Sequence, residues 1–341
     1  MKTAIAMSGG VDSSVAALLL KEEGRDVIGL TMALRTGDEA AADARRVAAE
    51  LGMPLEVIPL AEDFGRSVVD YFVKEYAAGR TPNPCVVCNP SIKFGRLLDE
   101  ARRLGASELA TGHYARVVET PVGCSLLRGA DTSKDQSYFL YRLSQEQLAH
   151  AVMPVGRLTK REVRETARVA GLHVSERPGS ADACFVPDGD LEAFLKSRVP
   201  QAVTPGPILD VAGRTLGRHR GIALYTVGQR TGLGLSRPRP SYVLTIDVAR
   251  NAILAGDEEG LFRDRLTASQ LSWVRGDPPA PSFRARAKIR STGEPAACRV
   301  DVDRHTVSVC FMEPQRAVAP GQSVVFYDGD AVVGGGVILS E

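Results

Sequence analysis

The motif SGGVDSS at residues 8–14 constrains the fold most, because it follows the apolar run AIAM at residues 4–7. A short apolar run before a glycine pair predicts a buried strand that enters a tight turn. Apolar residues then recur at helical spacing from Val15 to Leu19, and Gly24 is placed to end that helix. Strand, turn and helix N-terminus together direct backbone N–H groups and the positive end of the helix dipole to one point. The order therefore predicts a phosphate-binding loop.

The polar side chains of this loop suit a nucleotide and its metal ion. Ser8, Ser13 and Ser14 add hydroxyl donors, and the Asp12 carboxylate suits Mg²⁺. The motif is not a Walker A loop, since no G-x-x-x-x-G-K-[ST] pattern occurs, and it is not G-x-G-x-x-G. It resembles the PP-loop of enzymes that split ATP between the α and β phosphates. That resemblance implies that the chain adenylates an oxygen of its substrate and releases pyrophosphate.

The composition is that of a globular protein with little overall charge. The chain has 341 residues, 44% of them hydrophobic, with a net charge of +1 and six cysteines. This length predicts two or three domains, and six cysteines in such a chain do not indicate a disulfide scaffold. Neither a secretory signal nor an apolar run long enough to span a membrane is evident. We therefore expect a cytoplasmic protein with reduced thiols that works away from membranes, as a monomer.

Strands alternate with helices up to about residue 200. Such alternation predicts an α/β unit, a parallel sheet with helices on both faces, over residues 1–200. Residues 201–262 predict a small central β-rich unit, and residues 263–341 predict a C-terminal β-barrel. The segment 200–240 carries one acid, Asp210, and six arginines, which are Arg214, Arg218, Arg220, Arg230, Arg237 and Arg239. This local excess of positive charge favours contact with nucleic acid.

Three cysteines lie among turn-forming residues. Cys85 and Cys88 form a C-x-x-C pair in the segment 79–89, which we expect to be an irregular loop, and Cys184 lies in a second loop. The C-x-x-C spacing suits redox chemistry or a shared metal, but no partner pair for a closed zinc site exists. The other three cysteines, Cys124, Cys298 and Cys310, have apolar surroundings that favour buried, inert thiols.

Matching stretches along nearly the whole chain resemble the tRNA-specific 2-thiouridylases (MnmA/TrmU family). They are SGGVDSS, GRTPNPCVVCNPSIKFG (79–95), ATGHYAR (110–116), KDQSYFL (134–140), ACF (183–185), LGRHRGIALYTVGQRTGLG (216–234) and PGQSVVFYDGDAVVGGG (320–336). The resemblance implies a PP-loop (adenine nucleotide alpha hydrolase-like) sheet. It also implies a tRNA-uridine 2-sulfurtransferase that adenylates the 2-oxygen of the wobble uridine and replaces it with sulfur. ATP with Mg²⁺, a tRNA anticodon loop and a sulfur-donor protein would be its cofactor and partners.

The resemblance also implies residue roles. The ATP phosphates would lie on Ala6, Met7, Ser8, Gly9, Gly10, Val11, Asp12 and Ser13, with Met32 and Gly112 at the adenosine. Cys88 would be the nucleophile and Cys184 the persulfide carrier, with Asp12 as the third catalytic residue. The tRNA would contact Asn83, Pro84, Cys85, His113, Lys134, Asp135, Gln136, Lys288, Ile289 and Gln322. Lys93 and Arg80 are candidates for the positive charge that a thiolate needs.

Two questions stay open at this point. Many family members carry an acid where this chain has Cys85, so Cys85, Cys88 and Cys184 could ligate a [4Fe–4S] cluster that delivers sulfide. The rival is a persulfide route that needs only Cys88 and Cys184. For the activity itself, the alternatives are another PP-loop ATP pyrophosphatase, such as an amidotransferase-type ligase, and a non-catalytic tRNA-binding or sulfur-carrier protein. ATP–pyrophosphate exchange in the presence of tRNA distinguishes an enzyme from a carrier.

Overall fold

The first part of the chain builds a five-stranded parallel sheet. The structure is a computed structural model that describes residues 2–34, 39–177, 183–236 and 239–340. Its first strands are β1 (Lys2–Ala6), β2 (Asp26–Ala33), β3 (Leu55–Pro59), β4 (Glu108–Ala110), β5 (Ala115–Thr120), β6 (Gly123–Arg128) and β7 (Ala151–Val152). The parallel sheet has the order β3-β2-β1-β4-β7, so β1 is central and the loop behind it lies in the middle of the carboxyl edge.

Helices cover both faces of this sheet, as the sequence predicts. They are α1 (Val11–Glu22), α2 (Glu39–Glu50), α3 (Ala61–Phe64), α4 (Asp70–Ala77), α5 (Pro84–Cys88), α6 (Leu98–Arg103), α7 (Gln145–Ala149), α8 (Lys160–Val169) and α9 (Leu191–Arg198). Neighbouring residues of β1 point to opposite faces: Ala4 joins the core that contains Phe64 and Ile92, whereas Ile5 joins the core that contains Leu20 and Val163.

Two π-helical segments continue these helices. Gly65–Val69 joins α3 to α4, and Asn89–Leu97 joins α5 to α6. The expectation of an irregular loop throughout residues 79–89 is therefore wrong at its end, because Pro84–Cys88 is a helical turn. Proline suits the first position of a helix, where no N–H is needed. The cysteine pair consequently lies on a helical turn.

The remaining strands form a small sheet and a closed barrel. Strands β8 (Gly206–Leu209), β9 (Thr215–His219), β10 (Tyr242–Asp247) and β11 (Ala252–Gly256) form a sheet of order β10-β11-β8-β9. The barrel contains β12 (Phe262–Trp273), β13 (Ser282–Lys288), β14 (Ala296–Asp303), β15 (Thr306–Arg316), β16 (Ser323–Asp328) and β17 (Ala331–Ile338). Pairing of β12 with β17 closes six strands into the barrel that the sequence predicts.

An unpredicted hairpin connects the barrel to the first part of the chain. Strands β5 and β6 pair with each other, and Leu127 of β6 pairs with Ala331 of β17. The Tyr138 hydroxyl donates to the Ser323 carbonyl oxygen at 2.8 Å in the same region. The barrel is thus joined to the parallel-sheet unit by backbone pairing and buried hydrogen bonds. No helix of the described ranges is long and apolar enough to cross a membrane.

Candidate active site

The loop between β1 and α1 is stabilised by hydrogen bonds of its own hydroxyl groups. Ser13 Oγ donates to the Gly10 carbonyl oxygen at 3.1 Å and lies 3.2 Å from Ser8 Oγ. Gly9 has φ +69°, a left-handed conformation that glycine adopts without strain. These contacts order residues 6–13 at the centre of the carboxyl edge of the sheet, which is the position where open α/β sheets bind ligands.

Two residues expected at the adenosine lie beside this loop. Gly112 packs against the start of α1 so closely that a Cβ atom would lie 2.6 Å from the Ser13 nitrogen. Met32 is half-buried near the end of β2, the neighbour of β1. The fold therefore brings these residues together with the loop, and their contact with adenosine stays a prediction.

Asp12 is held by two side chains that the sequence did not indicate. The Tyr114 hydroxyl donates to Asp12 Oδ1 at 2.7 Å, and the Lys160 ammonium lies 2.6 Å from the same oxygen. Arg177 supports the loop from another side, donating to the Gly9 carbonyl oxygen at 3.1 Å and pairing with Asp43. Two cations, Lys160 and Arg177, thus contact the loop.

The first cysteine turn is capped by its own loop. Asn83 Oδ1 accepts the Cys85 backbone N–H at 3.2 Å and so caps α5, with Pro84 as its first residue. Cys85 is exposed, whereas Cys88, one turn later, is buried. All six cysteines fall within the described ranges, and no disulfide joins any of them. The turn thus places one thiol at the surface and one inside.

Cys88 lies within electrostatic range of three functional groups. Burial raises the pKa of its thiol to about 11, the Lys93 ammonium lowers it, and Cys85 and Cys184 raise it further. The π-helix explains the position of Lys93, because residues five apart in such a helix lie about one turn apart on the same face. In an α-helix they would be rotated by about 140° from each other. Cys85, Cys184 and Lys93 therefore lie near enough to Cys88 to act on its charge.

Arg80, the other candidate cation, is held elsewhere. Its Nε and Nη2 atoms donate to the two carboxylate oxygens of Glu75, each at 2.6 Å, and this hydrogen bonding raises the pKa of the guanidinium. A bidentate pair of this kind fixes the fork of the arginine. Lys93 is therefore the cation that acts on the Cys88 sulfur.

His113 is a packed neutral histidine inside the site. It is buried, its Nδ1 lies 2.8 Å from Thr111 Oγ1, and its Nε2 lies 3.3 Å from Lys93 Nζ. Burial and the neighbouring ammonium hold its pKa well below the usual value. Because an ammonium only donates, Nε2 accepts and the proton sits on Nδ1. His113 thus orients Lys93, and its contact with tRNA stays a prediction.

The segment before the cysteines is attached to the barrel and to the middle sheet. The Thr81 backbone N–H donates to the Pro320 carbonyl oxygen at 2.9 Å, and its hydroxyl donates to Thr226 Oγ1 at 3.1 Å. Gln322 Nε2 donates to the Thr81 carbonyl oxygen at 2.8 Å. Gln322, expected at the tRNA, thus also holds the cysteine segment in place.

The other residues expected at the tRNA differ in exposure. Lys134 is exposed and Gln136 is half-buried, but Asp135 is buried and accepts the backbone N–H groups of Gly129 at 3.2 Å and Ser137 at 3.0 Å. Lys288 and Ile289 are buried in the barrel, and desolvation lowers the pKa of Lys288. Asp135 therefore stabilises the backbone between Gly129 and Ser137, whereas the ammonium of Lys134 is exposed to solvent.

The expected metal ligands, buried cysteines and basic segment are only partly found in the structure. The described residues contain no group of three or more His, Cys, Asp or Glu side chains placed to hold a metal ion. Cys124 and Cys298 are buried as expected, but Cys310 is partly exposed.

In the arginine-rich segment Arg214 pairs with Asp210 at 2.8 Å and Arg220 with Glu192 at 2.7 Å. Arg237 lies outside the described residues.

One residue missed by the sequence reasoning had left a signal. Lys160 is the first residue of α8, behind the capping box of Thr159 and Glu162. A cation at the positive end of a helix dipole is unfavourable, and such local conflicts concentrate at functional sites. Tyr114 gave no comparable signal, because its contact with Asp12 spans 102 residues.

Comparison with known proteins agrees with this arrangement. Family models match residues 1–188 (tRNA methyl transferase HUP domain), 192–257 (tRNA methyl transferase PRC-barrel domain) and 263–338 (Aminomethyltransferase beta-barrel domain). These matches agree with the parallel sheet, the middle sheet and the closed barrel.

Curated relatives match over essentially the whole chain. A protein of Roseiflexus castenholzii is 48% identical over 100% of both chains. One of Chloroflexus aurantiacus is 49% identical over 98% of this chain and 97% of its own. One of Symbiobacterium thermophilum is 47% identical over 98% of this chain and 91% of its own. Each is named tRNA-specific 2-thiouridylase MnmA, and this chain belongs to that family.

Proposed function

We propose that the chain catalyses ATP-dependent 2-thiolation of the wobble uridine in tRNA. The observation that carries the proposal is the set around Cys88: a buried thiol within electrostatic range of Cys184, Cys85 and Lys93. A ligase that uses ammonia needs no such set of thiols. Full-length relatives that bear the 2-thiouridylase name support the same activity.

The first step is adenylation of the base. The 2-oxygen of the uridine attacks the α-phosphorus of ATP, the bond from that phosphorus to the β-bridging oxygen breaks, and pyrophosphate leaves with the electron pair. N3 of the base gives its proton to solvent in this step and takes one back when the thiouridine is released. Backbone N–H groups at the start of α1 and the Ser13 hydroxyl bind the phosphates. Asp12 and the serine oxygens are the hard oxygen ligands that Mg²⁺ prefers, so the residues fit this ion, which neutralises phosphate charge when bound.

The second step is transfer of sulfur. The terminal sulfur of a Cys184 persulfide attacks C2 of the base, and AMP leaves with the former 2-oxygen. The Cys88 thiolate then attacks the Cys184 sulfur, a Cys88–Cys184 disulfide forms, and the electron pair of the broken S–S bond stays on the thiouridine sulfur. A dithiol reductant reduces the disulfide, and a persulfide-bearing donor protein reloads Cys184.

The exposure of the two cysteines supports this division of roles. Cys184 is exposed, which suits loading by another protein, and Cys88 is buried, which keeps water from the activated base. Water at that point would only restore uridine. Lys93 favours the thiolate that Cys88 must become.

A [4Fe–4S] cluster fits the described residues less well. Three thiolates would have to converge on iron, yet the described residues hold no group of three or more ligating side chains arranged for a metal ion. The persulfide route, which needs only Cys88 and Cys184, therefore fits the chain better.

Docking of tRNA rests on exposed basic groups of the middle unit and on Lys134. Arg218 and Arg230 are exposed, and the sequence around them has few acids. Phosphate contacts by such residues make affinity fall as salt rises. Binding of tRNA that does not change with salt would contradict this part of the proposal.

Reconstitution with purified tRNA, MgATP and a persulfide donor tests the proposal. We expect 2-thiouridine in the digested tRNA and equal amounts of AMP and pyrophosphate, with a persulfide trapped on Cys184 by mass spectrometry. Cys88→Ala should release AMP but stall with the tRNA joined to Cys184 through a disulfide and form no free thiouridine, whereas Cys310→Ala, a change of a thiol in the barrel, should have no effect. Ammonia-dependent turnover of a free nucleotide without tRNA would contradict the proposal. A brown, iron-containing protein that loses colour and activity in Cys85→Ala would establish the cluster route instead.

A further inference from the structure

The contact between Lys160 and Asp12 places an unassigned cation at the phosphate loop. The ammonium lies 2.6 Å from Asp12 Oδ1, and 19% of the lysine side chain and 33% of the aspartate side chain are exposed. The Tyr114 hydroxyl donates to the same oxygen at 2.7 Å. One carboxylate oxygen thus receives two donors, at the start of the helix whose N–H groups face the loop.

The backbone of Lys160 is fixed while its ammonium remains able to move. Its N–H donates to Asp131 Oδ2 at 2.9 Å, and the Thr159–Glu162 capping box holds the same helical turn. The ammonium lies 5.9 Å from the centre of the Tyr114 ring, so the side chain crosses that ring to reach the loop. A lysine stem is flexible, and rotation about its bonds moves the ammonium without moving α8.

The pair with Asp12 competes with a metal ion. A cation that binds Asp12 Oδ1 directly would lie close to the ammonium, and two positive charges a few ångströms apart repel each other strongly. If Mg²⁺ takes this oxygen when MgATP binds, Lys160 has to leave it. The polyphosphate that arrives with the metal is the nearest new anion for the displaced ammonium.

We propose that Lys160 binds the β- and γ-phosphates of ATP, having left Asp12, and neutralises the pyrophosphate as it departs. This inference rests on the proposed function, because it assumes cleavage between the α and β phosphates. The charge that develops on the leaving pyrophosphate then meets an ammonium already placed at the loop. In the free protein the same ammonium neutralises Asp12, which keeps the loop ordered.

Binding of ATP, AMP and inorganic pyrophosphate to the full chain, without tRNA, tests the inference. We expect Lys160→Met to weaken ATP and pyrophosphate binding about tenfold or more and AMP binding less than about twofold, since a charge-assisted contact is lost only at the outer phosphates. Lys160→Arg should restore most of the affinity. The matched control is Arg161→Met, which removes the same charge from the next, exposed residue.

Three outcomes would overturn the inference. They are equal loss of ATP and AMP binding in Lys160→Met, unchanged ATP binding in that variant, and the same loss in Arg161→Met. Thermal unfolding of each variant shows whether it is folded. If Lys160→Met does not fold, the binding of ATP and AMP to Lys160→Arg is compared instead. Because the assay contains no tRNA, it stands apart from thiolation: a chain that binds ATP as described but forms no thiouridine would contradict the proposed function alone.

Discussion

The Tyr114 hydroxyl lies 2.7 Å from Asp12 Oδ1, while the backbone of the same tyrosine exchanges two hydrogen bonds with Gln136. The Gln136 side chain accepts the Tyr114 N–H at 3.0 Å, and the Gln136 N–H donates to the Tyr114 carbonyl oxygen at 2.9 Å. One residue thus joins the phosphate loop to the segment expected to contact tRNA.

Tyr114→Phe should therefore weaken the response of ATP cleavage to tRNA. The change removes one donor from Asp12 and leaves the backbone bonds to Gln136 intact, so we expect AMP formation with tRNA to fall about three- to tenfold with an unchanged tRNA dissociation constant. Tyr225→Phe, which removes a hydroxyl that donates to Gly232 at 3.3 Å, is the matched control. Equal rates for Tyr114→Phe and the unmodified chain would refute the link.

Asp12→Asn and Ser13→Ala should abolish release of AMP and pyrophosphate. Asparagine removes the charge that pairs with Lys160, and alanine removes the hydroxyl that bonds to Gly10 at 3.1 Å. Affinity for tRNA should stay within about twofold, because neither residue is among those expected to contact it. Ser197→Ala, which removes a hydroxyl bonded to Phe194 at 2.8 Å, should behave as the unmodified chain does. Full activity in both loop variants would contradict the ATP assignment.

The reactivity of Cys88 should depend steeply on pH. Its pKa is raised to about 11, chiefly by burial, so the thiolate fraction in the free protein increases about tenfold per pH unit from about pH 7 to about pH 10. Alkylation followed by peptide mass spectrometry measures this rate, and exposed Cys85 serves as an internal comparison.

Lys93→Met should slow Cys88 alkylation at every pH in this range, because the ammonium that favours the thiolate is lost. Arg96 lies on the same π-helix but pairs with Asp63 at 3.2 Å, so Arg96→Met should leave the rate of Cys88 alkylation unchanged. A Cys88 rate that levels off below about pH 9 would show that the thiol is not governed by burial.

Gly321→Ala should uncouple the barrel from the cysteine segment. Gly321 has φ +88°, and a Cβ atom there would lie 2.9 Å from both Arg80 Cβ and the Thr81 nitrogen. Thiolation should fall about tenfold or more while ATP binding is retained, since a misplaced cysteine turn affects sulfur transfer and not the phosphate loop.

Gly329→Ala is the matched control for that change. Its φ is +56°, and nothing lies within 4 Å of the new Cβ atom. Both variants should lose about 1–2 kcal/mol of unfolding free energy from the left-handed backbone, and Gly321→Ala about 1–3 kcal/mol more from the clash. Equal thiolation by both variants would show that the barrel does not position the cysteines.

Local patterns predicted much of this architecture from the sequence. The strand, glycine turn and helix around residues 4–19 depend on neighbouring residues, as do the barrel strands. The sequence does not predict the hairpin of β5 and β6. Leu127 of this hairpin pairs with Ala331 of the barrel, which lies in a distant part of the chain. The sequence does not predict the π-helix at Asn89–Leu97, since hydrophobic spacing alone does not separate a π-helix from an α-helix.

The sequence by itself determined which short segments carry the candidate chemistry: the loop SGGVDSS, the C-x-x-C pair and Cys184. Only the tertiary structure decided which partners they meet. Lys160 reaches Asp12 across 148 residues, and Gln322 reaches Thr81 across 241. Contacts of this range depend on how sheets and helices pack, and no local periodicity encodes them. The sequence can offer a lysine such as Lys93 as a candidate, but which group it acts on is decided only by the fold.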